Sequence, residues 1–336
     1  MDSLRSLHTF SLLAYCSRVE TIESVDALIA SISNLKRAGV EPEYLIMGEG
    51  SNTVFVEDYP YPVLLNRLKG IVIDETKNDY LVTVGAGENW HDLVSLCVQK
   101  GIGGFENLAL IPGTVGASPI QNIGAYGVEI DRFIEKVEFL DSNSLVLSIL
   151  SKAQCNFAYR DSVFKQQAKN HRIITRVFYR LPKQYHIETS YGPLAHLISP
   201  SVEEVFNEVI AIRKSKLPDP TIFGNAGSFF KNPVIEEAHF KTLLDMHSDI
   251  PSYRVNEQQV KIPAAWLIDK LGFKGRRIGD IVCHEIQPLV LVNIGDGLGK
   301  DLLTLAREIR DSVQNKFAIR LENEVRLMGK KGFVLL

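Results

Sequence analysis

The 336-residue chain has only four cysteines, and their spacing excludes two common uses of the residue. Cys16, Cys97, Cys155 and Cys283 are far apart, so they form neither a paired metal-binding motif nor a dense disulfide framework. The eight histidines form no H-E-x-x-H motif or other ligand cluster, which argues against a zinc site. We therefore expect a protein of a reducing compartment that holds no metal.

The chain also has no long apolar run and no large charge excess. No stretch approaches the roughly 20 apolar residues of a membrane span, and the N-terminal residues do not have the pattern of a signal peptide. Lys and Arg number 37 against 40 Asp and Glu, so no global positive field attracts nucleic acid or anionic membranes. We expect a cytoplasmic protein whose partners are small molecules, not nucleic acid or membrane. Because there is no heptad repeat, we also expect a monomer.

Three common catalytic or nucleotide-binding motifs are absent. There is no G-x-x-x-x-G-K-[ST] sequence, so a P-loop NTPase is excluded. Residues 48–52, Gly-Glu-Gly-Ser-Asn, lack the third glycine of a dinucleotide fingerprint, and β-type residues follow where a helix should begin. Ser228 lacks the second glycine of a G-x-S-x-G elbow, so a hydrolase nucleophile is not supported.

What the chain does contain is an ordinary globular composition with mixed periodicity. Hydrophobic residues are 45% and charged residues 23% of the total, and at roughly 150 residues per domain the length predicts two or three domains. Pro218 and Pro220 end a predicted helix and mark a domain boundary. The class we predict is α+β. Helices are predicted at 24–38 with Gly39 as cap, at 90–99, around 205–212, at 264–268 and around 302–313; strands are predicted at 44–47, 53–56, 63–65, 71–73, 80–84, 137–140, 172–179, 289–294 and 321–327.

Two glycine-containing segments have a composition suited to binding. Residues 48–52 could direct successive backbone N–H groups toward a phosphate, and the alternative is an ordinary hairpin turn. Residues 111–127 contain four glycines and two prolines separated mainly by apolar residues. That composition favours a backbone wrapped around a large, flat, partly apolar ligand with a phosphate at one end, since glycine allows close approach. The alternative is a buried structural loop.

Four polar groups are further candidates. Arg160 could hold a carboxylate with two hydrogen bonds, although most such arginines are surface residues. Ser228 presents a single hydroxyl among small residues, and the alternative is a capped turn. In residues 321–327 the apolar and charged side chains alternate, so Glu324 lies on a polar strand face that could be merely solvated. We interpret a basic cluster as the solvent-exposed face of a helix, and the alternative is that it contacts a diphosphate. The cluster consists of Arg213, Lys214 and Lys216.

In this order along the chain, the segments resemble the UDP-N-acetylenolpyruvoylglucosamine reductase family, flavoenzymes that complete UDP-N-acetylmuramate for peptidoglycan. The resemblance covers nearly the whole chain and rests on residues 48–52, 111–127, 159–162, 216–220, 224–233 and 321–325. Tyr191 resembles the loop tyrosine of the type I branch. Asn323, Pro263 and Thr114 depart from the pattern, but none of them is a catalytic position.

The resemblance implies a fold and a division into domains. The fold is an FAD-binding domain of the vanillyl-alcohol-oxidase or PCMH type in two subdomains, with an additional α/β substrate-binding domain. The implied boundaries are 1–66 for the first FAD-binding subdomain, completed by 319–336, then 67–217 for the second and 218–318 for the substrate domain.

The resemblance also implies a reaction. NADPH reduces tightly but non-covalently bound FAD and leaves, and UDP-N-acetylglucosamine enolpyruvate then takes its place. A hydride passes from flavin N5 to substrate C3, Ser228 gives a proton to C2, and Arg160 with Glu324 stabilises the developing enolate. The implied substrate contacts are Tyr159, Tyr191, Lys216, Asn232 and Gln287, with Lys216 and Asn232 at the diphosphate. The implied FAD contacts are Gly48, Glu49, Gly50, Ser51, Asn52, Pro112, Gly113, Thr114, Gly116, Ala117, Gln121, Asn122, Gly124, Ala125 and Tyr126.

Two alternatives of the same fold stay open at this point. A different flavin oxidase would share the FAD segments but would need no Ser228 and Glu324 pair, and many such oxidases attach the flavin through a histidine that the glycine segments here lack. A non-catalytic flavin or sugar-nucleotide binding protein would keep Tyr191 and Lys216 without the catalytic residues.

Overall fold

The computed structural model describes residues 1–37, 44–165 and 171–336. The chain divides into two compact units, each made of more than one stretch of sequence. Unit 1 comprises residues 1–17, 50–60 and 216–336, and unit 2 comprises residues 18–49 and 61–215. These boundaries differ from those of the three domains implied by the sequence, and that division stays a prediction.

The strands of unit 2 form three sheets within the described residues. The largest is antiparallel, in the spatial order Val146–Ser151, Ile134–Asp141, Arg172–Pro182, Asp79–Gly85 and Ile71–Glu75. The second is parallel, in the order Val19–Ile22, Val63–Asn66 and Leu45–Met47. The third is a short antiparallel pair, Gly124–Ala125 with Val128–Glu129.

Among the described residues, three α-helices begin in unit 2: α1 is Val25–Arg37, α2 is Trp90–Gln99 and α3 is Val202–Lys216. Helix α2 begins after Asn89, whose side-chain Oδ1 accepts a hydrogen bond from Asp92 N at 3.0 Å and caps the first turn. Its buried face carries Trp90, Leu93 and Cys97 against the apolar core below the five-stranded sheet. A capped, one-sided apolar helix of this kind is stabilised chiefly by that burial.

The strands of unit 1 form four sheets within the described residues. One is antiparallel, in the order Gly224–Ser228, Val290–Asn293, Ile281–Cys283 and Arg277–Ile278. Another contains Val234–Glu236, Gln259–Lys261 and Tyr253–Arg254. In the third, Arg326–Gly329 lies between Gly332–Phe333 and, in parallel, Thr53–Phe55. The fourth pairs Asp2–Ser3 with Tyr15–Cys16.

The helices of unit 1 are α4, Glu237–Met246, α5, Ala264–Lys270, and α6, Gly299–Phe317. Helix α6 buries Leu302, Leu305, Ile309 and Val313 at helical spacing, as the sequence predicts. It ends where Ala318 takes a left-handed φ of 54°, from which its N–H donates to Gln314 O. These apolar residues form the core of unit 1 together with the buried faces of α5 and of the first sheet.

Most predicted elements are confirmed, and one is wrong. Helix α2 matches its predicted bounds, and α1 matches to within a residue at its start, while Ala38 and Gly39 lie outside the described residues. The strand predicted at 321–327 begins only at Arg326. Leu321 and Val325 are buried and Glu322 is exposed, as predicted, whereas Asn323 and Glu324 are both half-buried. Among the described residues, Asn323 forms an isolated bridge with Phe230.

Two expectations about composition can be compared with the structure directly. All four cysteines are buried. Along the described parts of the chain, no helix is both long and apolar enough to cross a bilayer.

Candidate active site

In unit 1, the backbone next to Ser228 pairs with the backbone at Glu324. Glu324 N donates to Phe229 O at 2.8 Å, and Lys231 N donates to Glu322 O at 2.9 Å, on either side of the Phe230 and Asn323 bridge. Ser228 and Glu324 are both half-buried. The structure therefore brings the predicted proton donor and the predicted carboxylate into neighbouring, hydrogen-bonded segments of one unit.

The strand that ends at Ser228 contains an irregularity just before it. Its register against Val290–Asn293 shifts between Asn225 and Ser228, where Gly227 takes a φ of 70° that side chains rarely adopt. Gly227 N donates to Asn225 Oδ1 at 3.0 Å, which holds the bulge. Bulges of this kind redirect the side chains beside them, and here the redirected residue is Ser228.

Gln287 lies close to the same segment. Phe229 N donates to Leu289 O at 2.7 Å, and Gln287 N donates to His284 Nδ1 at 3.1 Å. The Gln287 side-chain Oε1 is buried and accepts no hydrogen bond from the described residues. A buried acceptor without a partner is costly, so this oxygen is suited to a donor on a ligand.

The end of the 48–52 segment also belongs to unit 1. Arg326 N donates to Asn52 O at 2.9 Å, and Asn52 Nδ2 donates to Glu324 O at 3.4 Å. Gly50 has a φ of 66°, and a Cβ there would collide with Leu7 O. The glycine is thus required by the turn itself, and the turn places Asn52 against Glu324.

Arg326 is a functional candidate that the sequence pattern places only on a polar strand face. Burial lowers the pKa of its guanidinium, whose Cζ lies 4.6 Å from the centroid of the Phe333 ring. A cation withdrawn from water in this way is suited to an anionic partner. The charged residues at 322, 324 and 326 recur with a period of two, which indicates a strand face. That period does not indicate which of the three side chains is withdrawn from water.

In unit 2, residues 48 and 49 are fastened to the start of the 111–127 segment, which we call the flavin segment. Glu49 accepts two hydrogen bonds from Asn89 Nδ2, at 2.9 and 3.1 Å, and Arg67 Nη1 donates to Gly48 O at 2.9 Å. A Cβ on Gly48 would collide with the Thr114 side chain. The close approach that this glycine permits is therefore between two parts of the chain.

The same holds further along the flavin segment. Gly116 N donates to Ala86 O at 2.8 Å, and a Cβ on Gly116 would lie 2.6 Å from the Ala86 Cβ. Asn122 uses its side chain within the chain, donating to Glu129 Oε2 at 3.0 Å and accepting from Asp131 N at 3.0 Å. The segment is thus a backbone cradle held by its own contacts, and the Asn122 side chain supplies two of them.

Arg160 lies in a tight turn of unit 2. The turn is closed by two hydrogen bonds between Ala158 and Asp161, at 3.1 and 3.0 Å, and Arg160 takes a φ of 54°. A left-handed φ costs a residue with a side chain roughly 1–3 kcal/mol, so the surroundings must hold it. Arg160 Nη2 donates to Gly124 O at 2.9 Å, and its Cζ lies 5.5 Å from the Tyr159 ring centroid. The turn thereby fixes Arg160 against the flavin segment.

Arg213, on α3, is a second buried guanidinium in unit 2. Burial lowers the pKa of Arg213, the phenol of Tyr126 opposes that shift, and the positive charge of Arg160 adds to it. The Arg213 Nε atom is buried and makes no hydrogen bond to the described residues. Two neighbouring guanidinium groups repel each other, so an anion between them would relieve the repulsion.

The prediction that Arg213 lies on the solvent-exposed face of the helix is wrong, because its Nε atom is buried. Lys214 and Lys216 are exposed, as that reading requires. Arg213, however, continues the apolar row of Val205 and Val209 at four-residue spacing, and that row faces the core. The four-residue spacing is the signal that could have identified it.

The remaining predicted substrate contacts have different surroundings. Tyr191 is 38% exposed and precedes a short 3-10 helix, Gly192–Leu194, in unit 2. In unit 1, Asn232 Oδ1 accepts a hydrogen bond from Ala264 N at 2.9 Å, at the start of α5. Lys216 is exposed at the last residue of α3. Asn232 thus uses its oxygen structurally and has its amide nitrogen left to donate.

The predicted site residues are divided between the two units. Ser228, Glu324, Gln287, Asn232 and Lys216 belong to unit 1, and Tyr159, Arg160 and Tyr191 belong to unit 2. The cradle of the flavin segment, with a buried and unpartnered Arg213 nitrogen beside Tyr126, fits a flat, anionic cofactor such as a flavin dinucleotide.

Comparison with known proteins identifies both halves of the chain. Residues 219–328 match the family model described as UDP-N-acetylenolpyruvoylglucosamine reductase, C-terminal domain, and residues 17–149 match an FAD binding domain. A UDP-N-acetylenolpyruvoylglucosamine reductase of Pseudoalteromonas atlantica is 47% identical over 336 residues, covering 100% of this chain and 96% of that one. One from Yersinia pestis is 44% identical over 337 residues, covering 99% and 96%.

A solved structure supports the fold. The crystal structure of UDP-N-acetylenolpyruvylglucosamine reductase from Thermus caldophilus matches with a TM-score of 0.65 and 24% identity, over 96% of each chain. Together with the FAD-binding match, this confirms the predicted fold class.

Proposed function

The chain belongs to the UDP-N-acetylenolpyruvoylglucosamine reductase family, and from that premise we propose which of its residues carry out the reaction. It is an FAD-containing oxidoreductase that reduces UDP-N-acetylglucosamine enolpyruvate to UDP-N-acetylmuramate with NADPH, in peptidoglycan precursor synthesis. The predicted family, activity and cofactor are confirmed. The alternative of a non-catalytic binding protein has no support among the relatives.

When bound, FAD supplies a hydride carrier between NADPH and the substrate. We assign its binding to the predicted residues of the 48–52 and flavin segments. The cradle described above supports this assignment, because its backbone is already fixed by contacts such as that of Gly116 with Ala86. Arg213 and Arg326 are added as cations suited to the anionic groups of cofactor or substrate.

Ser228 is proposed as the proton donor to substrate C2. The enolpyruvyl group is an alkene conjugated to a carboxylate, so addition at C3 moves negative charge toward the carboxylate and leaves C2 to be protonated. A serine hydroxyl is a weak acid, so it can act only on a carbanion-like acceptor at close range. The observation that carries this role is the bulge at Gly227, which sets the direction of Ser228 beside Glu324.

Arg160 and Glu324 are proposed to stabilise the charge that develops on the enolate. Arg160 Nη2 donates to Gly124 O, which fixes the guanidinium, and a guanidinium can bind a carboxylate with two hydrogen bonds. Glu324 is proposed to act on the same charge, and the hydrogen bond from its backbone N–H to Phe229 O fixes its position.

The other contacts follow the same premise. Tyr159, Tyr191, Lys216, Asn232 and Gln287 are proposed to bind the substrate, with Lys216 and Asn232 at the diphosphate. The unpartnered Oε1 of Gln287 supports its assignment. We further propose that the protein acts as a cytoplasmic monomer without nucleic-acid or membrane partners.

The test separates the two halves of the reaction. In Ser228→Ala, NADPH is expected to bleach the bound flavin at the wild-type rate, while reoxidation by the enolpyruvyl substrate slows by about 10²-fold or more. Anaerobic stopped-flow absorbance measures both steps. Ser252→Ala, an exposed serine of unit 1, is the matched control and should change neither.

Two results would contradict the proposal. Equal slowing of both half-reactions in Ser228→Ala would remove the proton-donor role. A colourless wild-type protein that binds no added FAD would remove the assignment of the FAD residues.

A further inference from the structure

Asn107 lies outside every motif used above, and its side chain joins two distant segments of unit 2. It belongs to a short 3-10 helix, Glu106–Leu108, and is fully buried. Its Nδ2 donates to Tyr126 O at 2.9 Å and to Glu188 O at 2.8 Å. The first acceptor is in the flavin segment, and the second is three residues before Tyr191.

The chain from 186 to 191, which we call the Tyr191 segment, lies directly against the end of the flavin segment. A Cβ added to Gly127 would lie 3.0 Å from Glu188 Cγ and 3.2 Å from Tyr191 Cβ. Any side chain at 127 would therefore push the Tyr191 segment away. Gly127, which has no side chain, and the Asn107 amide therefore both allow the Tyr191 segment to lie against the end of the flavin segment.

Apolar side chains also attach the Tyr191 segment to the core, among them Ile187 within the segment. Before it, the Tyr185 ring packs 5.8 Å from the Phe133 ring, and after it Leu194 is fully buried. Between these apolar anchors most residues are half-buried or exposed. Asn107 contacts the segment between the two anchors, at the residue after Ile187, and adds a polar contact to that apolar packing.

We propose that Asn107 is a positioning residue that fastens the Tyr191 segment to the flavin segment and thereby presents Tyr191 to the sugar nucleotide. The inference rests on the proposed function, since it takes Tyr191 as a substrate contact. An amide is required because it donates two hydrogen bonds from one nitrogen, whereas aspartate and leucine donate none. Without these two hydrogen bonds, the carbonyl groups of Tyr126 and Glu188 would need water as a partner. Water can reach them only if the Tyr191 segment moves outward.

The first experiment measures the segment without any substrate. Amide hydrogen exchange at residues 186–191 is expected to be about tenfold faster in Asn107→Leu, which keeps the side-chain size and removes both donors. Asn66→Leu is the matched control, because Asn66 is also buried in unit 2 and donates to Ile174 O at 3.0 Å. Equal exchange at 186–191 in the two variants would overturn the proposal.

The second experiment measures the reaction. In Asn107→Leu the KM for the enolpyruvyl substrate should rise about tenfold while kcat changes less than about threefold, since the residue acts on binding. If Asn107→Leu does not fold, Asn107→Ser keeps one donor and should show the same changes at smaller size. A fall in kcat with unchanged KM would overturn the proposal.

A double variant tests whether Asn107 acts through Tyr191. In a Tyr191→Ala background, Asn107→Leu should change KM by less than about twofold, because the group it positions is gone. A repeated tenfold rise there would overturn the proposal. Failure of the proposed function would be distinct, since Tyr191→Ala alone would then leave KM unchanged, and the exchange measurement would still decide whether Asn107 fastens the segment.

Discussion

The two units position their catalytic candidates by different means. In unit 1, the extended backbones at Ser228 and Glu324 are joined by hydrogen bonds such as Glu324 N to Phe229 O. In unit 2, Arg160 lies in a two-residue turn with a left-handed φ, and its own side chain donates to Gly124 O. The first arrangement depends on main-chain atoms, and the second depends in part on the side chain of the candidate residue itself.

This difference has a consequence for substitution. A change of side chain at Ser228 or Glu324 removes chemistry but leaves the backbone pairing that positions the segment. A change at Arg160 removes chemistry and also a contact that offsets the strain of its turn. Loss of function in unit 2 should therefore be accompanied by local loosening, and loss of function in unit 1 should not.

The largest expected effect tests this contrast directly. Arg160→Gln and Glu324→Gln should each slow reoxidation by the substrate by roughly 10²–10³-fold, as removal of one charge-stabilising group does. Only Arg160→Gln should also speed amide exchange at residues 124 and 158–161. Stopped-flow absorbance and hydrogen exchange measure the two effects, and equal exchange in both variants would show that the contrast is wrong.

The next effect concerns a buried histidine of unit 1. Burial lowers the pKa of His8 from 6.5 to about 4, and its Nε2 hydrogen-bonds Leu12 O at 3.1 Å. The folded state thus disfavours the charged ring. The contribution of neutral His8 to the free energy of unfolding is therefore fully present above pH 6.5 and is lost as the pH falls toward 4. The loss should reach about 3 kcal/mol.

Urea unfolding of wild type and His8→Asn, at pH 7 and pH 4, measures that loss. The variant should lose less stability than wild type by about 3 kcal/mol over this range. His196→Asn, an exposed histidine of unit 2, is the control and should follow wild type. A His8→Asn profile parallel to wild type would show that His8 is not the group responsible.

The smallest effect has the opposite sign and belongs to unit 2. Glu106 is fully buried, and burial raises its pKa above 4.5 although Gly104 N donates to it. Its stability contribution is therefore present below pH 4.5 and is lost as pH rises through the folded-state pKa. Glu106→Gln should gain stability relative to wild type between pH 4 and pH 8, by about 1 kcal/mol. A difference that is constant across this range would contradict the prediction.

Local signals in the sequence predict local structure well here. Helix α2 agrees with its predicted bounds because Asn89 supplies a cap and Gly101 a left-handed stop, both within two residues of its ends. The segment at 321–327 shows the limit of such signals. Its alternation correctly predicts which side chains are buried, but alternation carries no information about which strand is the partner.

The site divides in the same way. The candidates named from motifs, such as Ser228 and Glu324, were accessible to sequence reasoning because each lies in a short recognisable segment. Asn107 was not, since its two acceptors are 19 and 81 residues away and no spacing rule connects them. Arg213 lies between these cases, because its helical spacing from Val209 was present but its charge argued for the surface.

The parallel pairing of Arg326–Gly329 with Thr53–Phe55 sets an order of events during synthesis. Asn52 and Glu324, which this pairing brings together, are 272 positions apart, and the longer stretch of unit 2, residues 61–215, lies between them in the chain. Unit 2 can thus begin to fold while the ribosome is still translating unit 1. The serine and glutamate halves of unit 1 meet only after the last strands emerge, so a nascent or shortened chain lacks the pairing beside Glu324.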